Sequence, residues 1–290
     1  MSETPQTAAD TPRTVLVTGT STGIGLETAL AAARAGWRVV ATMRDPGRSQ
    51  RLLLAAQEAG VEVEVRELDV TVPASVAECV DAVVREHGRL DAVVNNAGAA
   101  HVGTVEVDDL EAVRACLEVN FFGVVAVTRA ALPHLRASRG RVVTVTSVGG
   151  VVGQPFTAAY CAAKFAVEGF MESLCPVAAA VGVGVAVVEP GAVASEFVAN
   201  AGLDPATLLA SLGPYAPAAS SYLERTTSTF SGAQSAAQAG QAVAAVLDAD
   251  PLPFRTQTSD AARAFVGVKL GDLDGSAVQA LTASWLTSAG

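Results

Sequence analysis

The chain has 290 residues, of which 50% are hydrophobic and 5% aromatic, and its formal net charge is −10 at pH 7. That length fits one large domain or two small ones, and the apolar half suffices for a well-buried core. The acidic balance excludes nucleic acid as an expected partner, because phosphate binding requires a concentrated basic face. The four cysteines show no paired spacing, so neither a zinc site nor a disulfide framework is predicted.

The N-terminal stretch, residues 1–13, is polar and contains proline, so we expect a disordered tail rather than a signal peptide. The longest apolar run, residues 177–188, is too short to span a bilayer and is interrupted by two glycines. We therefore expect a cytoplasmic protein that has reduced thiols and no integral membrane segment.

From Thr14 onward, β-branched runs alternate with helical patterns. Such alternation predicts one domain over residues 14–290, a doubly wound Rossmann-type α/β fold with helices on both faces of a parallel sheet of about seven strands. The predicted strands are residues 14–18, 37–42, 61–67, 90–94, 141–146, 183–188 and 251–258. The principal predicted helices are residues 26–35, 48–59, 74–87, 110–135, 160–180 and 236–249.

Residues 196–235 interrupt this regularity. They mix short helical pieces with Gly, Pro, Ser and Thr, and a segment of that length inside a compact domain is usually a lid or a substrate loop. We therefore predict that about residues 196–235 form the substrate loop.

A glycine-rich turn follows the first predicted strand and precedes a helix. Its glycines, Gly19, Gly23 and Gly25, would let the backbone approach a pyrophosphate, whose charge suits the N-terminus of the helix. The spacing is G-x-x-x-G-x-G rather than the usual G-x-G-x-x-G. The strand that follows completes a β-α-β unit of the length expected for dinucleotide binding.

Two side chains after the second strand bear on the choice of dinucleotide. Arg44 can pair with the 2′-phosphate of NADP(H), whereas Asp45 could bond the ribose of NAD(H). Arg44 comes first and favours NADP(H), and NAD(H) remains possible. Asp69, after the third strand, could bond adenine or only cap the helix that follows Pro73.

Polar residues and glycines also follow later strands, where ligands bind in open α/β sheets. Asn95-Asn96-Ala97-Gly98 ends the fourth strand, Ser147 follows the fifth, and Pro190-Gly191 ends the sixth. Asn120 lies in a predicted helix among apolar neighbours, which disfavours a solvated amide.

Tyr160 and Lys164 are four residues apart, which places the phenol and the ammonium on one face of a helix. A free tyrosine titrates near pH 10, and a neighbouring cation favours its anion. The pair therefore suits acid–base catalysis, although the same spacing fits an ordinary helix with a buried Tyr and a solvated Lys.

The chain from Thr14 onward resembles the short-chain dehydrogenase/reductase family. The motifs in the family's order are Thr18-Gly19-x-x-x-Gly23-Ile24-Gly25, Asn95-Asn96-Ala97-Gly98, Asn120, Ser147, Tyr160-x-x-x-Lys164 and Pro190-Gly191. The resemblance implies that Tyr160 is the general acid–base and that Ser147 holds the substrate oxygen. It implies that Lys164 bonds the nicotinamide ribose and lowers the pKa of the phenol, and that Asn120 completes a proton relay through a water.

The resemblance also implies a set of residues that bind the cofactor. With Tyr160 and Lys164, these are Gly19, Ser21, Thr22, Gly23, Ile24, Gly25, Arg44, Asp69, Val70, Asn96, Ala97, Gly98, Pro190, Gly191, Val193 and Ser195.

A narrower resemblance is to the branch that holds estradiol 17β-dehydrogenase type 1 and photoreceptor retinol dehydrogenase. It is carried by Asn-Phe-Phe-Gly at 120–123, the run 160–170 and Val-Glu-Pro-Gly at 188–191. The branch implies NADP(H) and a hydrophobic ketone, aldehyde or alcohol, such as a retinoid, steroid or polyketide. Residues 196–235 contain no histidine, which the steroid enzyme is expected to use there for the distal hydroxyl.

The family further implies a homodimer or homotetramer formed through the helices near residues 110–135 and 160–180. Two alternatives stay open. One is an NAD-dependent alcohol dehydrogenase of the same fold, which rests on Asp45. The other is a non-catalytic nucleotide-binding sensor, which this fold can also host.

Overall fold

A computed structural model describes residues 12–195 and 204–287, without the side chains of residues 229–231. Seven strands form one parallel sheet in the order β3-β2-β1-β4-β5-β6-β9. This confirms the predicted fold class. The strands are β1 (Thr14–Thr18), β2 (Arg38–Met43), β3 (Glu64–Glu67), β4 (Ala92–Asn95), β5 (Arg141–Val145), β6 (Gly184–Glu189), the paired two-residue strands β7 (Val193–Ala194) and β8 (Gln234–Ser235), and β9 (Arg255–Gln257).

Helices cover both faces of the sheet. They are α1 (Gly23–Arg34), α2 (Gln50–Ala59), α3 (Pro73–His87), α4 (Leu110–Leu117), α5 (Gly123–Ser138), α6 (Ala158–Ala179), α7 (Pro205–Ser211), α8 (Ala216–Ser231), α9 (Ala236–Asp248), α10 (Asp260–Leu270) and α11 (Ser276–Ala283). The core on one face joins α1, α2 and α9 to the sheet, and the core on the other face joins α3, α5 and α6.

The strand order reverses between β1 and β4. The chain runs outward from β1 to β2 and β3, then returns to place β4 on the other side of β1. Diverging connections at such a reversal leave a crevice at the carboxyl ends of the strands, and ligands bind there in open α/β sheets.

The predicted helical stretch over residues 110–135 is confirmed. A π-helical turn, Glu118–Phe122, lies between α4 and α5 without interrupting it. Leu110–Ser138 is one continuous helical stretch, and an 18-residue window within it has a mean hydropathy of 1.5, so by length and composition alone it could cross a membrane. Its buried residues, including Val127 and Leu135, pack against the sheet, as in the core helix of a globular domain.

The predicted irregular segment is largely helical where the structure describes it, while residues 196–203 lie outside that part. Asp204 caps α7 by accepting a hydrogen bond from the Thr207 amide at 2.9 Å. In α8, the hydroxyl of Thr226 donates to the backbone carbonyl of Tyr222 at 2.8 Å. Ser and Thr hydroxyl groups can bond backbone carbonyls inside a helix in this way, so their abundance misled the prediction of irregular structure.

The predicted tail, residues 1–13, lies outside the described part of the chain except for its last two residues. Arg13 pairs with Asp248 at 2.5 Å and stacks over the ring of Trp37 at 4.2 Å. Ordered structure therefore includes at least Arg13, just before β1.

Candidate active site

A cavity of about 1710 Å³ opens at the carboxyl ends of the central strands. The cofactor residues implied by the family resemblance all line it, as does Ser147. Asn120 does not. The lining residues that the sequence analysis singled out are Gly19, Ser21, Thr22, Gly23, Ile24, Gly25, Arg44, Asp45, Asp69, Val70, Asn96, Ala97, Gly98, Ser147, Tyr160, Lys164, Pro190, Gly191, Val193 and Ser195.

The glycine turn is held in place by the strand next to it. Asn96 donates from its side-chain amide to the backbone carbonyls of Thr18 and Gly19, at 2.8 and 3.0 Å. A Cβ at Gly25 would lie 2.3 Å from that amide nitrogen, so only glycine permits this packing. Gly19 and Gly23 have φ values of 70° and 62°, which favour glycine. The turn thus presents the N-terminus of α1 to the cavity, as a pyrophosphate site requires.

Two guanidinium groups lie at the edge of the cavity beyond β2. Arg44 and Arg48 both line the wall and are exposed. Asp45 also lines it, but one carboxylate oxygen accepts from the Gly47 amide at 2.8 Å and caps a short 3₁₀ turn. Guanidinium groups suit a phosphate and a carboxylate suits a ribose diol, and this edge of the cavity carries both.

Asp69 lies on the same side of the cavity as these arginines. Its Oδ1 accepts hydrogen bonds from the amide and the hydroxyl of Thr71, at 2.9 and 2.7 Å. The predicted alternative of a cap for α3 is wrong, because the N-cap position is Val72. Asp69 instead closes an Asx turn before that helix.

Ser147, Tyr160 and Lys164 converge at the centre of the cavity. The Ser147 hydroxyl hydrogen-bonds the phenol of Tyr160 and also accepts from the Gly149 amide at 3.0 Å. Lys164 lies 5.9 Å from the centroid of the phenol ring, and its Nζ donates to the Val145 carbonyl at 3.2 Å. The helical offset of four therefore places both groups on the cavity side of α6, as the sequence predicted.

The pKa of the phenol differs from the expectation that Lys164 lowers it. Burial raises the pKa of Tyr160 to about 12, and the hydrogen bond from Ser147 opposes that shift. Burial also lowers the pKa of Lys164 to about 8 from 10.5. A desolvated ammonium is itself driven toward neutrality, so it stabilises the phenolate less than an exposed cation would. Tyr160 is accordingly a protonated phenol at neutral pH.

Asn120 lies behind the cavity wall rather than on it. Its side chain has no solvent exposure, and its amide donates to the carbonyls of Ala99 and Cys116, both at 2.9 Å. Its carbonyl oxygen accepts from the Ala99 amide at 3.2 Å. These bonds hold the loop after β4, and the proton relay that the resemblance implies for Asn120 stays a prediction. Asn120 lies in the π-helical turn Glu118–Phe122.

The sequence analysis did not identify several other residues that line the cavity. Gln154 and His101 provide polar groups, and the imidazole Nε2 of His101 lies 3.0 Å from an oxygen of Asp108. The absence of histidine from residues 196–235 therefore does not leave the wall without one. The aromatic members are Tyr222, Phe265 and Trp285. No local pattern identifies them, because distant segments bring them together.

Comparison with known proteins gives a consistent picture. The family model for short chain dehydrogenase matches residues 13–206. Retinol dehydrogenase 8 of Bos taurus is 38% identical over 283 residues, which cover 92% of this chain and 88% of that protein. The 17-beta-hydroxysteroid dehydrogenase type 1 of Mus musculus is 44% identical over 193 residues, or 64% of this chain and 56% of that protein.

Two solved structures share the fold. A short-chain dehydrogenase from Streptomyces avermitilis is 31% identical with a TM-score of 0.73, and the match covers 95% of this chain and 96% of the other. An alcohol dehydrogenase from Thermococcus sibiricus, complexed with 5-hydroxy-NADP, is 25% identical with a TM-score of 0.68, covering 84% and 94%. Both similarities extend well beyond the glycine turn.

Proposed function

Because the chain belongs to the short-chain dehydrogenase family, we propose that it interconverts a hydrophobic ketone or aldehyde and its alcohol, with NADP(H) as the cofactor. One observation carries the proposal. The hydroxyl of Ser147 hydrogen-bonds the phenol of Tyr160 inside the cavity, beside the buried Lys164. That arrangement offers two O–H groups to one substrate oxygen.

The residues at the centre of the cavity handle the oxygen and the proton. In the reduction direction, Ser147 donates a hydrogen bond to the carbonyl oxygen and stabilises the negative charge that develops on it. Tyr160 transfers its phenolic proton to that oxygen as the general acid, and burial keeps the phenol protonated at neutral pH. The reduced nicotinamide, when bound, supplies the hydride that the carbonyl carbon accepts. Lys164 would hold the nicotinamide ribose.

The preference for NADP(H) is supported by Arg44 and Arg48 on the cavity wall. Asp45 favours the second candidate, an NAD-dependent alcohol dehydrogenase, because it lines the same region. One oxygen of its carboxylate already accepts a hydrogen bond from the Gly47 amide, which weakens the case for an NAD-dependent enzyme. A tenfold or greater preference for NAD(H) in initial rates would decide for the second candidate.

An apolar substrate is supported by a group of apolar and aromatic side chains on the cavity wall. Val102, Tyr222, Leu223, Phe265 and Trp285 line the cavity. We place α8 and the residues around it as the substrate-binding segment, in keeping with the predicted loop over about 196–235. The names of the relatives, retinol and hydroxysteroid dehydrogenases, agree with a large hydrophobic guest.

We also propose that the protein is cytoplasmic and forms a homodimer or homotetramer. Phe122 and Phe165 are 49% and 41% exposed on the helices implied for assembly. A hollow of about 260 Å³ between α5 and α6, lined by Leu132 and Phe170 among others, presents further apolar side chains on these helices. A second copy would remove these side chains from water.

The proposed function is tested by following NADPH consumption with a panel of hydrophobic ketones and aldehydes. Wild-type protein should reduce at least one of them, and Tyr160→Phe should lower kcat by about 10²–10⁴, the usual contribution of general acid–base catalysis. Tyr222→Phe, which alters a phenol elsewhere on the wall, is the matched control. Undiminished activity in Tyr160→Phe would overturn the catalytic role of Tyr160. A wild-type protein that binds NADPH but reduces no compound of the panel would belong to the non-catalytic, nucleotide-binding class.

A further inference from the structure

The side-chain amide of Gln154 lies beside the two catalytic hydroxyl groups. Its position is defined by Gly149, whose missing Cβ would lie 3.2 Å from Nε2 of Gln154, 3.3 Å from Oγ of Ser147 and 3.3 Å from Cε1 of Tyr160. Because each of these three atoms lies within 3.3 Å of the same point, no two of them can be farther apart than twice 3.3 Å. The amide therefore faces the same part of the cavity as the reacting oxygen.

The backbone on both sides of Gln154 is well defined. The Ser147 hydroxyl caps the short 3₁₀ turn Val148–Gly150 through the Gly149 amide. Beyond Gln154, its backbone carbonyl accepts hydrogen bonds from the amide and the hydroxyl of Thr157, at 3.4 and 3.1 Å, just before α6. The side chain thus extends from a fixed turn that joins the serine to the tyrosine helix.

The amide group of Gln154 has no hydrogen bond within the described residues, although it lines the cavity and is only partly exposed. An apolar guest such as a plain hydrocarbon ketone would strip water from the amide and return no hydrogen bond, which is unfavourable. A substrate with a second oxygen would form a hydrogen bond with the Gln154 amide, because an amide both donates and accepts hydrogen bonds. Because the amide nitrogen and the Ser147 hydroxyl both lie within 3.3 Å of one point, a short link of one or two carbons between that oxygen and the reacting carbonyl fits best.

We propose that Gln154 is a specificity-determining residue that binds a second oxygen, carbonyl or hydroxyl, on the carbon adjacent to the reacting carbonyl or one carbon farther. The preferred substrates are then 1,2- or 1,3-dioxygenated carbonyl compounds with an apolar body. This inference rests on the proposed carbonyl reduction and narrows its substrate class.

The test compares two matched probe pairs with NADPH. In each pair, the second oxygen is the only difference in the carbon–oxygen skeleton: 1-phenyl-1,2-propanedione against propiophenone, and 1-phenyl-1,3-butanedione against butyrophenone. Intrinsic carbonyl reactivity cancels when each probe is compared between the wild-type protein and Gln154→Met, which keeps the side-chain length and removes the amide. We expect kcat/KM to fall about three- to tenfold more for the dioxygenated member of at least one pair, mainly through KM.

Gln241→Met is the matched control, because Gln241 lines the same cavity from α9. Gln241→Met should change kcat/KM by the same factor for both members of a probe pair. Equal losses in Gln154→Met for both members, with wild type active on both, would overturn the inference and leave the proposed function intact. If wild type reduces no carbonyl compound in the broader panel, the proposed function fails and the inference fails with it. An unchanged melting temperature verifies that Gln154→Met is folded.

Discussion

Arg255 Nε lies 2.7 Å from Oε1 of Glu189, a carboxylate with no solvent exposure. The same guanidinium reaches Glu168 at 3.0 Å and Glu172 at 3.1 Å, both on α6. Glu168 follows Lys164 by one helical turn, and Glu189 directly precedes Pro190 on the cavity wall. The last strand, β9, thus ties the catalytic helix to the end of β6 through one side chain.

Replacing Arg255 should destabilise the protein, because two buried carboxylates lose their ion-pair partner. Arg255→Met leaves Glu168 and Glu189 without their cation, and the free energy of unfolding should fall by about 3–5 kcal/mol at neutral pH. Urea unfolding measures it. Glu189→Gln added to Arg255→Met should recover part of the loss, whereas Arg263→Met, which removes an exposed pair with Asp260, should change little.

The loss in Arg255→Met should also depend on pH. Burial raises the pKa of Glu168 and of Glu189, and Arg255 lowers both. Without the arginine, the folded-state values rise further above the ordinary 4.5. An acid whose pKa is raised by folding destabilises the protein as the pH climbs from its unfolded value through its folded value. The deficit of the variant should therefore be smaller near pH 5 than near pH 8, and a constant deficit would contradict this account.

Lys164 is expected to lower stability in return for its role in the cavity. Burial lowers its pKa to about 8 from 10.5, so folding releases a proton between these values and stability rises with pH through that window. Below this pH window, the burial of the charged Lys164 lowers the free energy of unfolding by about 3 kcal/mol. Lys164→Met should be inactive yet more stable at pH 7, and its advantage should shrink by about 2 kcal/mol at pH 9.5.

The comparison is made by urea unfolding without added cofactor. The other lysine of the chain, Lys269 in α10, provides the control, since Lys269→Met should show a difference from wild type that does not vary between the two pH values. If Lys164→Met were more stable than wild type by the same free energy of unfolding at both pH values, the cost assigned to burying the ammonium would be refuted.

Arg44 and Arg48 should determine the cofactor preference. A charged hydrogen bond to phosphate is worth about 1.5–3 kcal/mol, so Arg44→Ala should raise KM for NADPH about ten- to a hundredfold and leave KM for NADH nearly unchanged. Arg48→Ala should have a weaker effect in the same direction, because it lies farther along the turn. Arg51→Ala, a change outside the cavity lining, is the control. Equal effects on both dinucleotides would rule out a 2′-phosphate contact.

Phe122 and Phe165 should mediate assembly. Each exposes more than two fifths of its surface on one of the helical stretches implied for assembly. Phe122→Glu combined with Phe165→Glu should convert an oligomer into monomers in size-exclusion chromatography with light scattering, because burying unpaired carboxylates is unfavourable. Leu273→Glu, at a fully exposed residue elsewhere, should not. A wild-type chain that is monomeric at all concentrations would refute the proposed oligomer.

The amino-acid sequence by itself determined the sheet and the position of the cavity. Alternating β-branched and helical runs are local patterns, and parallel strands necessarily bring their carboxyl ends to one edge. Gly19, Asn96, Ser147 and Pro190 follow different strands, so their convergence could be predicted without any knowledge of packing. The i, i+4 spacing of Tyr160 and Lys164 is likewise local, and it placed both groups on the cavity wall.

Only the tertiary structure decided what surrounds those groups. The pKa of Tyr160 depends on burial, the amide of Asn120 depends on a loop 21 residues earlier, and the charge state of Glu189 depends on Arg255 in the last strand. The amide of Gln154 meets Ser147 only because Gly149 leaves room between them. Desolvation and contacts between distant segments have no local sequence period, which is why pattern analysis predicted the catalytic groups but not their environment.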